Sequence, residues 1–280
     1  MCALCVIPVT VTTAGYRWGA MTRHRVDSLL AERGLAGSRT SAAASVRAGR
    51  VRLGAGGPRA EKPSQMVAAD AELVVEQPPP YVSRGGIKLA NGLDALEVGV
   101  AGRSCLDVGA STGGFTDCLL QRGATRVIAL DVGRGQLDWG LRNDPRVHVL
   151  ERRNARELSP AELPFAPELA TVDVSFISLA RVLPALSRCL AERADVLALV
   201  KPQFELGRER IGKRGVVSSS EDRRDALVAA ARAAADLGLV PRGFASSGLP
   251  GPKGNRESFL WCATHGDAVD VDAAAREVEP

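Results

Sequence analysis

The sequence predicts an α/β fold in which helices cover a mostly parallel sheet, with a smaller α+β domain in front of it. Two observations predict the sheet. Residues 105–120 place a glycine-rich turn and a helix directly after an apolar strand, and strands then alternate with helices to about residue 265. A third observation, a basic segment over residues 21–65, predicts the separate domain.

The length and composition of the chain are sufficient for two domains. With 280 residues, of which 45% are hydrophobic, it can form one large core and one smaller core. Residues 1–22 lack the basic start of a signal peptide, and we expect them to be disordered or to precede a true start at Met21. We expect a small domain at 23–77, a linker at 78–84, a large domain at 85–266 and a flexible tail at 267–280.

The cysteine pattern and hydropathy exclude several classes of protein. The sequence has no run of about 18 uncharged apolar residues, which a membrane-spanning helix requires. Cys2 and Cys5 form a C-x-x-C pair without a second pair or a histidine cluster, so we expect no metal site, although a metal at this pair stays an alternative. Scattered positions inside apolar patterns indicate buried thiols of a reduced cytoplasm and not a disulfide framework. The six cysteines are Cys2, Cys5, Cys105, Cys118, Cys189 and Cys262.

The basic segment carries nine Arg and Lys residues against three acidic residues between positions 21 and 65, whereas the whole chain has a net charge of +4. A small basic domain in front of a near-neutral one is typical of proteins that bind nucleic acid. The apolar spacing predicts two short helices, over 25–35 and 38–49, and short strands near Val51 and over 71–77.

This arrangement of two helices and small strands, with arginines around the second helix, resembles the ribosomal-protein S-four-like RNA-binding domain, or αL motif. The resemblance implies that the basic domain binds RNA. The alternative is that the arginines form a solvated face with no ligand. The expected RNA contacts are Arg25, Arg39, Arg47, Arg50 and Arg52, with Arg84 at the start of the next domain.

The glycine-rich turn Gly109-Ala-Ser-Thr-Gly113-Gly114 indicates a nucleoside ligand. Glycines allow positive φ and close approach of a ligand to the backbone, and the helix that follows presents unpaired N–H groups. Asp131, at the end of the next strand, is the acceptor that a ribose hydroxyl requires. The spacing differs from the dinucleotide fingerprint G-x-G-x-x-G, and no Lys-Ser or Lys-Thr pair follows as in a phosphate loop. A turn that binds no ligand stays the alternative.

Polar residues stand at the ends of the later strands. Asn154, Asp173 and Lys201 each follow an apolar strand, and Glu257 precedes the last one. Strand ends of a parallel sheet converge on one crevice, so these side chains are expected to meet there. A helix in front of the first strand carries Lys88 off its apolar stripe.

The lysines are informative because only five of the 36 basic residues are lysine. Arginine does not release its proton in a protein, whereas a lysine that is desolvated or lies beside another cation can. Lys88 and Lys201 are therefore candidates for proton chemistry, and two ordinary surface lysines are the alternative.

Lys88, Asp173, Lys201 and Glu257 match in order and context the K-D-K-E tetrad of the FtsJ-like RNA ribose 2'-O-methyltransferases. Together with the basic domain, the motifs make the chain similar to the TlyA (hemolysin A) family from about Arg25 to His265. These motifs are SRGGIKLA, DVGASTGGFTD, DVSFISL, VKPQFE and GNRESFL.

The resemblance implies a Rossmann-like sheet that binds S-adenosylmethionine and transfers its methyl group to a cytidine 2'-hydroxyl. The substrate would be ribosomal RNA within ribosomal subunits in the cytoplasm. The resemblance implies RNA of the small subunit, and RNA of the large subunit stays open. No metal and no membrane are implied. The sequence does not specify the oligomeric state, and a monomer is expected.

The resemblance also implies roles for residues. Lys201, with the Lys88 charge nearby, would accept the proton of the ribose hydroxyl, Asp173 would orient Lys201, and Glu257 would anchor Lys88 or the ribose. A hydroxyl is a poor nucleophile, so such a base and close alignment are needed. The expected cofactor-binding residues are Gly109, Ala110, Ser111, Gly113, Gly114, Phe115, Asp131, Val132, Asn154 and Asp173.

Three other functions stay open at this point. One is methylation of an RNA base, although enzymes that methylate amines usually carry a (D/N)-P-P-(Y/F) motif where this chain has Asp173-Val174-Ser175-Phe176. A second is a non-catalytic ribosome-binding module, which would not need four polar residues at strand ends. The third, a membrane-lytic role suggested by the hemolysin name, is disfavoured because the sequence lacks a spanning segment.

Overall fold

A computed structural model describes residues 22–280. The chain divides into two compact units, with the boundary between Pro78 and Pro79. The expectations for the first residues, including the Cys2–Cys5 pair and the start at Met21, lie outside the described part.

The N-terminal unit contains two helices and two small antiparallel strand pairs, in which β1 pairs with β3 and β2 with β4. Its core is small and consists of apolar residues at helical spacing, such as Val26 and Leu30, packed against Val46 and Val51. Ser38 begins the second helix, because its hydroxyl accepts a hydrogen bond from the N–H of Ser41 at 3.1 Å. The elements are β1 (Arg23–Arg25), α1 (Val26–Glu32), α2 (Arg39–Arg47), β2 (Val51–Leu53), β3 (Met66–Ala68) and β4 (Leu73–Val75).

The second unit has the predicted alternation of strands and helices. The helices are α3 (Arg84–Ala95), α4 (Gly114–Gln121), α5 (Trp139–Arg142), α6 (Leu183–Ser187), α7 (Pro202–Glu205), α8 (Ser220–Ala235) and α9 (Val271–Val278). The strands are β5 (Ser104–Val108), β6 (Arg126–Asp131), β7 (Val147–Glu151), β8 (Leu169–Val172), β9 (Asp195–Val200), β10 (Val240–Ser246) and β11 (Ser258–Ala263).

These strands form one sheet in the order β10-β11-β9-β8-β5-β6-β7. Strands β5 to β9 are parallel, whereas β11 lies antiparallel between β9 and β10. The predicted α/β sheet is therefore confirmed, with an antiparallel edge. Every residue of β5 and β9 is buried, since helices cover both faces of the sheet.

The sheet has a hydrophobic core on each face. On one face, α6 and α8 pack against residues such as Leu106 and Val200. On the other, α3 and α4 pack against residues such as Cys105 and Leu199. Cysteines 105, 118, 189 and 262 are buried and unpaired. Burial raises the pKa of Cys105 to about 12, so its thiol is unreactive near neutral pH.

The segment that precedes α3, from Pro79 onward, is part of the second unit. The N–H of Val82 donates to the Asp117 carboxylate at 2.9 Å, and the side chain of Gln121 donates to the carbonyl of Pro80 at 2.9 Å. The later part of the predicted linker at 78–84 thus lies against α4. Arg84 is already the first residue of α3.

The end of the chain is helical, which corrects the flexible tail predicted for residues 267–280. Asp270 caps α9 by accepting from the N–H of Ala273 at 3.0 Å. Ala275 is only 1% exposed, and Glu279 accepts from Nε of Arg223 at 2.7 Å. The apolar residues of this segment lie at helical spacing and pack on the core, which gives the tail a docking face. Among residues 22–280, no helix has the length and apolar character needed to cross a membrane.

Candidate active site

The site lies at the carboxyl ends of the parallel strands, where the strand order reverses. From β5 the chain continues to β6 and β7 on one side and then returns to β8 and β9 on the other. Such a switch point opens a crevice between the two central strands because the loops that follow them diverge in opposite directions. The turn after β5 and Asp173 after β8 face each other across this crevice.

The glycine-rich turn is shaped by the packing of the protein itself. Gly109 has φ +89°, and a Cβ built there would lie 2.4 Å from the carbonyl oxygen of Asp173. A Cβ on Gly114, the first residue of α4, would lie 2.1 Å from Oγ of Ser83 at the start of α3. Glycine at these two positions therefore lets the β5 turn approach β8 and lets two helix N-termini approach each other.

A cavity of about 560 Å³, called the first cavity, opens beside this turn. All four tetrad residues, Lys88, Asp173, Lys201 and Glu257, line it. The cavity is also lined by Arg84 and Lys253, so that four cationic and two anionic side chains face it. The excess of positive charge favours an anionic ligand.

Lys201 forms one of two ion pairs in the first cavity. It follows β9, and its Nζ lies 2.5 Å from Oδ1 of Asp173 and 2.9 Å from Oγ of Ser175. Its side chain is 10% exposed and that of Asp173 is 25% exposed, so the pair is largely buried. Because β8 and β9 are adjacent parallel strands, their ends bring Asp173 and Lys201 together.

The second pair joins α3 to the start of β11. Nζ of Lys88 lies 2.5 Å from Oε2 of Glu257, whose side chain is 2% exposed. Strand β11 pairs antiparallel with β9, with Ser258 opposite Val200, so Glu257 and Lys201 stand at the same edge of the sheet. The four residues thus come together although they span 169 positions between Lys88 and Glu257.

Each lysine therefore has its own carboxylate. The expectation that the Lys88 charge helps Lys201 to release its proton stays a prediction.

A second cavity, of about 1140 Å³, adjoins the first and shares Gly109, Ser111 and Asp173 with it. Asp131, Val132 and Asn154 line this second cavity. The three residues lie at the ends of β6 and β7, on the side of the switch point away from Lys201 and Glu257.

Asp131 has one carboxylate oxygen on each of two backbone amides. Oδ2 accepts from the N–H of Ser111 at 2.7 Å, and Oδ1 accepts from the N–H of Gly133 at 2.6 Å. The carboxylate is held rigidly, and each oxygen retains lone-pair capacity toward the cavity. Asn154 accepts from the N–H of Arg156 at 3.2 Å, so its amide is also fixed in orientation.

The other residues expected to bind the cofactor fall into two groups. Ala110, Gly114 and Phe115 line the first cavity together with Gly109 and Ser111. Gly113 lines neither cavity and instead has φ +98°, where a Cβ would lie 2.3 Å from Leu141. Gly113 therefore permits packing of the turn against α5, and its contact with the cofactor stays a prediction.

Asp107 lies beneath the turn, at the second-to-last position of β5, and is 0% exposed. Its Oδ2 accepts from the hydroxyl of Thr116 at 2.7 Å. Burial, reinforced by the charges of Asp173 and Asp131, raises the pKa of Asp107 to about 7. The residue joins the strand to α4 and supports the turn from below.

Arginines expected to contact RNA differ in how they are held. Arg25 donates to both carboxylate oxygens of Asp27 (3.0 and 2.7 Å), and Nε of Arg39 lies 3.4 Å from the same carboxylate. Arg52 is paired with Glu76 at 2.5 Å. Arg47, in contrast, is exposed in the last turn of α2.

Arg50 and Arg84 are held by uncharged groups. Nη2 of Arg50 donates to Oγ of Ser45 at 3.2 Å within the N-terminal unit. Nη2 of Arg84 donates to the carbonyl of Pro250 at 3.0 Å, at the first cavity. Arg84 is therefore the member of this set that lies beside the tetrad.

Ser175 and Asn255 are two of the polar residues at the first cavity that were not among the expected site residues. Ser175 accepts a hydrogen bond from Lys201, and Asn255 is 2% exposed and bonds the backbone of residues 215 and 217. Ser175 lies two positions from Asp173 within DVSF, and Asn255 lies two positions from Glu257 within GNRE. This closeness to tetrad residues is the feature of the sequence that could have identified them as site residues. No group of three or more His, Cys, Asp or Glu suited to a metal occurs among residues 22–280.

Comparison with known proteins agrees with this geometry. The family model of FtsJ-like methyltransferases matches residues 81–264. A 16S/23S rRNA (cytidine-2'-O)-methyltransferase TlyA from Mycobacterium tuberculosis is 51% identical over 247 residues, covering 88% of this chain and 91% of the relative. Hemolysin A from Brachyspira hyodysenteriae is 36% identical, covering 83% of this chain and 97% of the relative.

Similarity extends to solved structures. A Streptococcus thermophilus protein that carries the name hemolysin has a TM-score of 0.68 and 38% sequence identity, covering 92% of this chain and 96% of the other. The similarity covers most of both chains, so it is not limited to the glycine-rich turn.

Proposed function

This chain belongs to the family of FtsJ-like methyltransferases, and on that premise we propose that it transfers a methyl group from S-adenosylmethionine to the 2'-hydroxyl of a cytidine in ribosomal RNA. The observation that carries the proposal is the pairing of Lys201 with Asp173 and of Lys88 with Glu257 in one cavity beside the glycine-rich turn. The relative from Mycobacterium tuberculosis is named for both 16S and 23S RNA, so we extend the proposal to both subunits.

The residues around the two cavities fit the cofactor. Asp131 would accept hydrogen bonds from the ribose hydroxyls, with Val132 and Asn154 beside the adenine, because these three line the second cavity. Gly109, Ala110 and Ser111 would lie along the methionine portion. S-adenosylmethionine supplies an electrophilic methyl group when bound.

The Lys201–Asp173 pair would take up the proton of the ribose hydroxyl. As the hydroxyl oxygen attacks, its proton passes to Nζ of Lys201 while a proton of Lys201 shifts to Asp173, 2.5 Å away. Ser175, which accepts from the same Nζ at 2.9 Å, keeps the amine directed toward the cavity. The residues that bind the proton are thus already in contact before the substrate arrives.

The Lys88–Glu257 pair would orient the acceptor nucleotide. Glu257 is almost fully buried and holds Lys88 at 2.5 Å, which fixes the ammonium at the cavity wall. A fixed cation can donate to the ribose or its phosphate without losing side-chain freedom on binding. Removal of either partner would leave a buried charge unpaired.

RNA as the substrate is supported by the charge around the first cavity and by the basic N-terminal unit. Arg84 and Lys253 add positive charge to the cavity, and Arg39 and Arg47 are exposed on the N-terminal unit. Neutralisation of phosphates by such residues provides affinity without reading sequence. With ribosomal subunits as substrate, the proposed location is the cytoplasm.

Mapping the product tests the proposed reaction. Purified protein is incubated with tritiated S-adenosylmethionine and with each ribosomal subunit from cells that lack the gene. A ribose product would appear as an alkali-resistant dinucleotide at a cytidine. Label in an alkali-released mononucleotide would instead establish base methylation, and binding to subunits without any transfer would establish a non-catalytic module.

Calorimetric titration tests the cofactor separately. S-adenosylmethionine is expected to bind and NAD is not. Gly109→Val should abolish binding, because its Cβ would lie 2.4 Å from the Asp173 carbonyl at a φ of +89° and the turn would have to move. Gly99→Val is the control, since a Cβ there meets no atom within 4 Å. Binding of NAD alone would contradict the proposal.

A further inference from the structure

A tight turn of residues 212–217 forms part of the wall of the first cavity through Gly215. The N–H of Gly215 donates to the carbonyl of Gly212 at 2.7 Å, and the N–H of Gly212 donates to the carbonyl of Val216 at 3.1 Å. Gly215 has φ +75°, a conformation that side-chain-bearing residues rarely adopt. The turn is therefore folded on itself and is not an extended loop.

Asn255 holds this turn with both ends of its amide. Its Oδ1 accepts from the N–H of Val217 at 2.9 Å, and its Nδ2 donates to the carbonyl of Gly215 at 2.8 Å. The side chain is buried, with the residue 2% exposed, so water does not compete for these bonds. Two hydrogen bonds from one planar amide fix both position and orientation of the turn.

The same residue is attached to the segment that carries Glu257. The carbonyl of Asn255 accepts from the N–H of Gly251 at 2.9 Å, and Glu257 is two residues further on. Asn255 thus connects the turn to the Lys88–Glu257 pair. The cofactor-side residues Asp131 and Asn154 lie in the other cavity and do not touch it.

The turn carries exposed positive charge. Lys213 and Arg214 are both exposed at its tip, whereas the preceding Arg210 is held by Asp225 at 2.5 Å. A cation that is already paired contributes little to the binding of a ligand, whereas exposed cations beside a cavity can contact a phosphate backbone. The turn is thus a fixed wall whose outer side is basic.

We infer that Asn255 is a positioning residue for the acceptor RNA: it fixes the 212–217 turn so that Gly215 borders the bound nucleotide while Lys213 and Arg214 contact flanking phosphates. This inference rests on the proposed function for the identity of the ligand. The physical reason is that a preorganised wall avoids the entropy of ordering a loop when RNA binds.

The first measurement concerns the turn alone and needs no turnover. Asn255→Ala removes both amide bonds, and hydrogen exchange of the 212–217 backbone should become at least about ten-fold faster, because the loss of two buried hydrogen bonds lowers the local opening free energy. Exchange in β5 and β9 should stay as in the wild type. Asn143→Ala, which removes an exposed amide bond at α5, is the matched control. Unchanged exchange at Val217 would overturn the inference.

The second measurement is a double-mutant cycle on RNA affinity. The dissociation constant for ribosomal subunits is measured for Asn255→Ala, for Lys213→Gln with Arg214→Gln, and for all three changes together. Each of the first two should weaken binding about ten-fold. The loss in the variant with all three changes should be clearly smaller than the sum of the two separate losses, because Asn255 acts in part through the same two cations. Affinity for S-adenosylmethionine should stay within about three-fold of the wild type.

The outcomes separate this inference from the proposed reaction. Fully additive losses would overturn it, as would a loosened turn with normal RNA affinity. A fall in S-adenosylmethionine affinity equal to the fall in RNA affinity would assign Asn255 a general structural role and would also overturn it. Failure of the wild type to methylate ribose would contradict the proposed function only, because exchange and binding are measured without turnover.

Discussion

The Arg52–Glu76 ion pair of the N-terminal unit lies at its surface, whereas two ion pairs of the second unit lie in the wall of a cavity. Arg52 and Glu76 have side chains that are 31% and 37% exposed, and Lys88 and Glu257 have side chains that are 11% and 2% exposed. Both pairs have an N–O distance of 2.5 Å. The same geometry therefore occurs in two very different surroundings.

The difference in surroundings changes what an ion pair does. At the surface, water screens both charges, so the Arg52–Glu76 pair adds little to the stability of the N-terminal unit. In the cavity, each charge depends on its partner because burial removes the water that would otherwise solvate it. The second arrangement holds a lysine at the wall of a cavity, where a ligand can contact it.

The largest effect is expected for Lys201→Arg. The guanidinium keeps the charge beside Asp173 but does not give up a proton, so the single-turnover rate of methylation should fall about 10²–10⁴-fold while both ligands still bind. Lys201→Ala should be little worse. Lys62→Arg, at an exposed site of the N-terminal unit, is the control, and we expect it to retain the wild-type rate. A near-normal rate for Lys201→Arg would show that the residue supplies only charge.

A stability comparison of the two ion pairs should give the next effect. Glu257→Gln leaves the Lys88 ammonium buried without a counter-charge, and we expect it to lower the free energy of unfolding by about 3–5 kcal/mol. Glu76→Gln in the N-terminal unit should cost about 0–1 kcal/mol, since the pair with Arg52 is half-exposed. Urea unfolding monitored by circular dichroism measures both. Equal losses would mean that burial does not distinguish the two units.

The buried Asp107 should make stability depend on pH. Its pKa is about 7 in the folded protein, so the folded state keeps a proton that the unfolded chain releases near pH 4. The free energy of unfolding should therefore decrease as pH rises from about 4 to about 7, by up to roughly 1.4 kcal/mol per pH unit.

Asp107→Asn tests this pH dependence because it keeps a neutral acceptor for the Thr116 hydroxyl. Urea unfolding between pH 5 and 7.5 should show a flatter pH profile for this variant than for the wild type. Asp70→Asn, at an exposed position of the N-terminal unit, should leave the profile unchanged. A wild-type stability that rises through this pH range would contradict the prediction.

The smallest effect is expected within the basic face of the N-terminal unit. Arg47 is exposed at the end of α2, so Arg47→Gln should reduce the slope of log affinity against log salt by about 1. Arg52 is already paired with Glu76, and Arg52→Gln should change the slope less. Filter binding to ribosomal subunits at several salt concentrations compares the two. Identical salt slopes for both variants and the wild type would mean that these arginines are solvated and do not contact RNA.

The sequence alone was sufficient to predict features that depend on neighbouring residues. The alternation of strands and helices, the glycine turn after β5 and the polar residues at the strand ends all follow local patterns, since strand and helix periods and turn chemistry are set within a few residues. The α/β fold was predicted in this way, the FtsJ-like family was predicted from the resemblance of the motifs, and both predictions are confirmed. The scarcity of lysine also singled out Lys88 and Lys201, and both line the first cavity.

Only the tertiary structure decided which of these residues meet. Lys88 and Glu257 are paired because β11 lies antiparallel beside β9, a choice that no local period encodes. Other contacts also depend on long-range packing. Gly113 packs against Leu141, and Asn255 forms two hydrogen bonds with the 212–217 turn. The final helix is held to the core by the pairing of Glu279 with Arg223. A side chain's partner depends on contacts between segments far apart in the chain, and such contacts form only when the whole sheet is assembled.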